Sequence, residues 1–248
     1  MPLIRLLCTA LTFLTRLPVA RWSHAEPERL AQSASLFPLV GAIVAAVACA
    51  AAWLGHALLP AALTPWCALL AGIVVTGAFH EDGLADTADG LGGGVTRERR
   101  LAIMKDSRLG TYAAVALALV LSGKYLALAS LSMPRLFAAL YVGHVMARFS
   151  VLPLAAWLPY VRDSEAGNKP VADGIGAREV LLGSVLTAAL VAPFGLTAIA
   201  CIVASLVVIV LAALYFRSQL GGITGDTLGA ANQCVELCCY LVCAALVF

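Results

Sequence analysis

Four carboxylates stand together in FHEDGLADTADGLGGG, residues 79–94: Glu81, Asp82, Asp86 and Asp89. Asp82, Asp86 and Asp89 are spaced i, i+4, i+7. On a helix this spacing brings all three within about 60° of arc. Like charges so placed repel, and a bound cation removes the conflict. Carboxylate oxygens without Cys or clustered His select a hard ion, magnesium or manganese. Gly83, Ala85, Ala88 and Gly90 leave the neighbouring surface bare enough for a bulky phosphorylated substrate. The expected chemistry is a divalent metal held against a diphosphate. The alternative is a solvated acidic helix end. Glu81 points about 100° away from Asp82 and reads as a surface residue. His80 reads equally as a ligand-orienting group or an interfacial one.

Further polar motifs lie downstream. Asp106 sits in KDSRLG between Lys105 and Arg108, either as a helix-end ion cluster or as another metal ligand whose cationic neighbours take phosphate oxygens. Asp226 lies in GGITGDTLGA. There Gly221, Gly222 and Gly225 allow a loop whose amides cradle an anion, and Thr224 and Thr227 add hydroxyls. The competing reading makes Asp226 or Thr227 the N-cap of the last helix. Arg148 falls inside an apolar run, one turn from His144, and needs a partner: a structural carboxylate such as Glu236, or substrate phosphate.

The elements that position these groups are membrane helices. The chain is 62% hydrophobic and 12% charged, against about 25% charged in soluble domains, and its mean hydropathy is +0.95. A net charge of +2 gives no footprint for nucleic acid. The expected fold is all-α, a single membrane-embedded catalytic domain over residues 1–248. About seven spans fall near 36–59, 62–79, 112–131, 136–158, 179–196, 197–216 and 231–248. Residues 1–20 read as an interfacial amphipathic helix with Arg5 and Arg16 in the headgroups. Thr96 is placed to N-cap a short amphipathic helix, while Gly83 and Gly90 weaken the acidic helix toward an irregular last turn and Gly92–Gly94 form a flexible turn.

With residues 1–35 on the cytoplasmic side, the polar insertions 80–108, 159–178 and 217–230 share that side. They carry most of the Arg and Lys, including Arg97, Arg99, Arg100 and Arg217. Lys124 then lies toward the far side, where it is expected to snorkel. The loop with Asp163, Glu165, Asn168 and Lys169 is long enough to cover a site. The eight cysteines lie in apolar segments and read as buried small hydrophobes rather than a disulfide framework.

Together FLTRLP (13–18), FHEDGLADTADG (79–90), IMKDSRLGTYA (103–113) and GGITGDTLGA (221–230) resemble the adenosylcobinamide-GDP ribazoletransferases, also called cobalamin 5′-phosphate synthases. The resemblance covers nearly the whole chain in order. Glu81 departs from it, standing where an apolar residue is expected. The resemblance implies a magnesium-dependent membrane enzyme. It would join adenosylcobinamide-GDP to α-ribazole or α-ribazole 5′-phosphate, releasing GMP. The family's motif regions map onto Asp82, Asp86, Asp89, Asp106 and Asp226. On that basis Asp82, Asp86 and Asp106 would hold metal, and Asp226 would be a further ligand or, in place of Asp89, the base. Lys105, Arg108 and Arg148 would hold phosphate oxygens, with Thr224, Gly225 and Thr227 as loop donors. Expected partners besides substrates are the lipid bilayer and either a second copy of the chain or other corrinoid-pathway enzymes, and the expected site is the cell inner membrane with the active site facing the cytoplasm. The CDP-alcohol phosphotransferase pattern begins at Asp82-Gly83 but breaks at Asp86. An ion-coupled transporter would need ionisable groups along a path to the far side, and the sequence has almost none there.

Overall fold

The computed structural model describes residues 2–24, 26–161 and 174–246; Asp163, Glu165, Asn168 and Lys169 lie outside them. The described residues form an all-helical bundle. In chain order its α-helices are α1 (Pro2–Leu14), α2 (Pro27–Ser33), α3 (Phe37–Leu58), α4 (Thr64–Thr76), α5 (Phe79–Gly93), α6 (Arg97–Ile103), α7 (Thr111–Ala129), α8 (Met133–Phe149), α9 (Val151–Trp157), α10 (Ala177–Val191), α11 (Gly195–Leu220) and α12 (Gly225–Ala245). Proline marks the first turn of α2, α3, α4 and α8, where its missing N–H costs no helical bond.

Among the described residues, five stretches are long and apolar enough to cross a membrane, and the α4–α5 pair, bent by 88°, makes a sixth. One of the five, Ala177–Leu220, doubles back. Gly195 adopts φ +54. α10 starts beside Leu152, the turn reaches Tyr141 through Phe194 at 5.3 Å between ring centroids, and the chain returns to Pro159, whose carbonyl accepts from Ile223 N at 2.9 Å. Helices thus occupy all seven of the stretches that the hydropathy pattern marks, although α4 and α10, with 13 and 15 residues, are short of the ~20 of a full crossing.

The second pass differs most from expectation. It does not run straight into a loop. Gly77 (φ +66) and Ala78 (φ +58) turn the chain sharply, Ala78 being the one described non-glycine with positive φ. An alanine there costs about 1–2 kcal/mol, so the corner needs support. The FLTRLP segment supplies it: Arg16 N donates to Val75 O at 2.8 Å, and Phe13 meets Phe79 edge-on at 5.7 Å. α1 therefore buttresses the corner as well as lying along α2 and α3. Beyond the corner the acidic stretch is a regular helix through Gly93, and the expected irregular last turn and flexible glycine turn are absent. Burial against α12 and α7 outweighs the weak propensity of its glycines.

Packing relies on small residues, which let membrane helices approach closely. A Cβ on Gly41 would collide with the His144 carbonyl oxygen, so α3 and α8 touch backbone to backbone. The cysteines are free thiols, with Cys201, Cys239 and Cys243 buried together between α11 and α12. The polar segments gather at one end of the bundle: the α5 corner, the α6–α7 link, the Pro159–Val161 segment and the start of α12 adjoin one another.

Candidate active site

α5 crosses the start of α12 where glycines face each other. A Cβ on Gly83 would lie 2.8 Å from Asp226 O and 3.1 Å from Gly229 Cα. The crossing brings the Asp226 backbone against Gly83, the residue after Asp82, and leaves Asp82, Asp86 and Asp89 on another face of α5.

That face forms one wall of a cavity of about 310 Å³. The opposite wall is the α6–α7 link with Lys105, Asp106 and Arg108. The link is held from three sides. Thr96 N-caps α6 by accepting from Arg99 N at 3.3 Å, as expected. Arg100 donates to Gly94 O and, across the fold, to Gln219 O, both at 2.9 Å. Met104 is buried against Gly90. The cavity thus gathers six of the residues singled out by their chemistry, from two separate stretches.

Their individual states differ. Asp89 accepts from Gly110 N at 2.6 Å and from Ala113 N at 2.9 Å, so both its oxygens cap the N-terminus of α7. Both oxygens being engaged by α7 amides, Asp89 serves as an anchor for α7 rather than as an open proton acceptor. Asp106 accepts from Arg108 Nε and Arg108 N at 3.0 and 3.1 Å. The Arg108 side-chain hydrogen bonds, then its backbone bond, hold the Asp106 carboxyl down at about 2. Asp82 is exposed and Asp86 half-buried.

Other expected site residues lie elsewhere. Thr224 and Thr227 are fully buried and close a reciprocal cap: Thr227 N donates to Thr224 Oγ1 at 3.2 Å, and Thr224 N to Thr227 Oγ1 at 2.9 Å. Their hydroxyls serve the start of α12 rather than a ligand, and Thr224 is the N-cap in place of Asp226 or Thr227. The glycine-rich loop is not an open anion cradle on its Ile223 side, since Ile223 pairs with Pro159 and Val161 in a short parallel bridge. Gly225 stays exposed with open space where a Cβ would be. Asp226 is half-buried and does not line the acidic cavity.

Arg148 does not reach the cavity either. It is 2% exposed and donates to Glu236 at 3.1 Å; the structural pairing is the one observed. Glu236 also accepts from Lys124 at 2.8 Å and Tyr240 Oη at 3.1 Å, and its other oxygen is 3.1 Å from His144 Nδ1. Lys124, 1% exposed, also reaches Gln233 at 2.6 Å, so it does not snorkel. Glu81 turns inward to accept from Gln233 at 3.1 Å. It is no surface residue. His80 is buried against Phe79. A polar core therefore ties α5 to α7, α8 and α12, and sequence reasoning found only its Arg148–Glu236 edge. The missed signal was Asn232, Gln233, Glu236 and Tyr240 recurring at helical spacing inside an apolar span.

The chain matches the family model described as cobalamin-5-phosphate synthase over residues 6–244. It belongs to that family. Relatives agree along almost their whole length. The adenosylcobinamide-GDP ribazoletransferase of Shewanella frigidimarina is 41% identical, covering 98% of this chain and 95% of its own. That of Leptothrix cholodnii is 44% identical, covering 96% and 94%. No solved structure matches the chain.

Magnesium fits the donors present. Among the described residues no three His, Cys, Asp or Glu side chains are grouped closely enough to form a protein-only metal cage. Magnesium does not require one: it is commonly held by one or two carboxylates with waters and substrate phosphates completing the octahedron. Asp82 and Asp86, one turn apart on the cavity wall, supply such a pair.

Proposed function

We propose that this chain is an adenosylcobinamide-GDP ribazoletransferase acting at the acidic cavity. The acceptor is α-ribazole or its 5′-phosphate, and the products are adenosylcobalamin or its 5′-phosphate and GMP. The observation that carries the reading is the convergence of Asp82, Asp86, Asp106, Lys105 and Arg108 on one cavity at the polar end of a membrane bundle, in a chain that matches the family end to end.

Diphosphate-to-alcohol transfer is governed by positioning and charge neutralisation. The ribose 3′-hydroxyl attacks the phosphorus nearer cobinamide, the bond to the GMP oxygen breaks, and the hydroxyl proton leaves to a base. Asp82 and Asp86 would hold magnesium, which when bound supplies charge neutralisation at the diphosphate oxygens. Lys105 binds phosphate as a point charge, and Arg108 orients Asp106 while offering its remaining donors. Asp89 holds the start of α7 in place. The base role is assigned to Asp226, the remaining motif carboxylate, whose backbone packs against Gly83, the residue after Asp82. The positive-inside distribution supports a cavity facing the cytoplasm from the inner membrane.

The test is GMP release by the protein in lipid vesicles given adenosylcobinamide-GDP and α-ribazole, with magnesium or with chelator. Release that depends on both substrates and on magnesium is expected. Full activity in chelator overturns the metal assignment, and no corrinoid product under any condition overturns the reaction.

A further inference from the structure

α5 has a second lined face. Opposite the aspartates, Leu84, Thr87 and Leu91 form the floor of a groove of about 560 Å³, walled by α11 through Leu211 and Phe216 and by α12 through Ala231. Of its lining side chains only Thr87, Tyr215 and Cys234 carry a polar atom, and the volume is that of a small-molecule site. The groove is continuous with the lipid-facing side of α11, where Val207, Leu211 and Leu214 are 53%, 60% and 62% exposed. Hydrocarbon therefore reaches its mouth.

The end of the groove is basic. Next to Phe216 in the chain, Arg217 is exposed in the last turn of α11. The exposed Arg97 guanidinium carbon stands 3.8 Å from the Cβ position of Gly221. Arg100 holds α6 there through Gln219 O. An apolar slot ending in guanidinium groups at the polar end of a membrane bundle matches an acyl chain attached to an anionic phosphate.

We propose that this groove binds one anionic phospholipid, with an acyl chain against α5 and its phosphate on Arg97 and Arg217. The bound chain packs the rear of the helix whose front carries the aspartates, so the bilayer completes the support of the cavity. The binding is independent of the reaction assigned to that cavity.

The full chain is reconstituted in nanodiscs of phosphatidylcholine mixed with phosphatidylglycerol, exchanged into mild detergent and weighed by native mass spectrometry. One retained phosphatidylglycerol per chain is expected. Arg97→Gln/Arg217→Gln should lose preference for it over phosphatidylcholine by roughly tenfold or more, two basic contacts being removed. Ala212→Trp, which fills the groove from the α11 wall, should retain no lipid. If Ala212→Trp does not fold, Tyr215→Trp decides: bromine-labelled phosphatidylglycerol should quench its added fluorescence more than the phosphatidylcholine analogue does. Equal retention of both lipids, no retained lipid, or equal quenching overturns the proposal. So does a dimer that Ala212→Trp dissociates, which would assign the groove to a second copy of the chain.

Discussion

Replacing Gly83 with alanine tests whether the α5–α12 crossing builds the active site. The new Cβ would stand 2.8 Å from Asp226 O, 3.1 Å from Gly229 Cα and 3.2 Å from Asp226 Cα. All three are backbone atoms, so no rotamer relieves the contact. Carbon contacts relax near 3.5–4.0 Å, so the helices must part by roughly 0.5–1 Å. Overpacking of this kind costs about 1–3 kcal/mol, and alanine returns up to about 1 kcal/mol of helix propensity. Net destabilisation is therefore small, about 0–2 kcal/mol. Activity is more sensitive, because a displacement of about 1 Å between reacting groups costs about 10²-fold. Gly83→Ala should thus fold and insert, melt within a few degrees of wild type, and release GMP about 10²-fold more slowly in vesicles. Gly93→Ala is the control on the same helix, since its Cβ would meet only Ile103 Cδ1 at 3.6 Å; it should keep wild-type turnover. If Gly83→Ala turns over like wild type, or if Gly93→Ala falls equally, the crossing does not position the site and the reasoning fails.

Asp82→Asn and Asp86→Asn should each lower turnover by at least about 10²–10³-fold, the scale of losing a charge-stabilising group, with expression unchanged; retained activity in the double variant refutes the metal role. Arg108→Gln should raise the Asp106 carboxyl from about 2 toward the ordinary ~3.9, read by carbon-13 titration. Because the folded value is depressed, the Asp106–Arg108 pair is complete above about pH 4 and is lost as pH falls toward 2, so Asp106 should contribute no inflection to the activity profile between about pH 5 and 8. Glu236→Gln leaves Lys124 and Arg148 buried with their shared anion gone. The expected cost is about 3–5 kcal/mol in thermal unfolding, and Lys124→Met should cost less because Glu236 keeps Arg148.

What the sequence disclosed followed from periodicity and charge. The spans, the Thr96 cap, the shared face of Asp82, Asp86 and Asp89, and the gathering of polar insertions at one end are local or additive properties. What stayed hidden depended on contacts between distant segments. Nothing near Lys124 announces Glu236, 112 residues away, so a lone lysine in a span reads as a snorkelling one. Asp89 looks like its neighbours until Gly110 and Ala113 arrive with their amides. Thr224 and Thr227 stand three apart in a glycine-rich run, and that spacing suits a capping box as well as an anion loop. Burial decided between them. The 88° corner was hidden because Ala78 occupies a backbone region that sequence preference assigns elsewhere.

The corner also explains how water-soluble chemistry is built from a membrane chain. A straight second span would carry Glu81 and the aspartates out of the bundle together, on a helix end with one dry side. Turned by the corner, α5 spans the polar end of the fold and can show different faces to different surroundings. Asp82 and Asp86 meet the cavity. Glu81, one residue earlier, points into the polar core and is matched there by Gln233, close to the Lys124–Glu236–Arg148 cluster. Leu84 and Leu91 face the apolar groove. Gly83 lets the helix sit hard against α12. Each of these faces constrains rotation of α5 about its own axis: turning it would bury an aspartate or bare a leucine. In water such a helix could roll at little cost. Between a charged core, an apolar groove and a polar cavity it has one setting, and that setting aims the carboxylates.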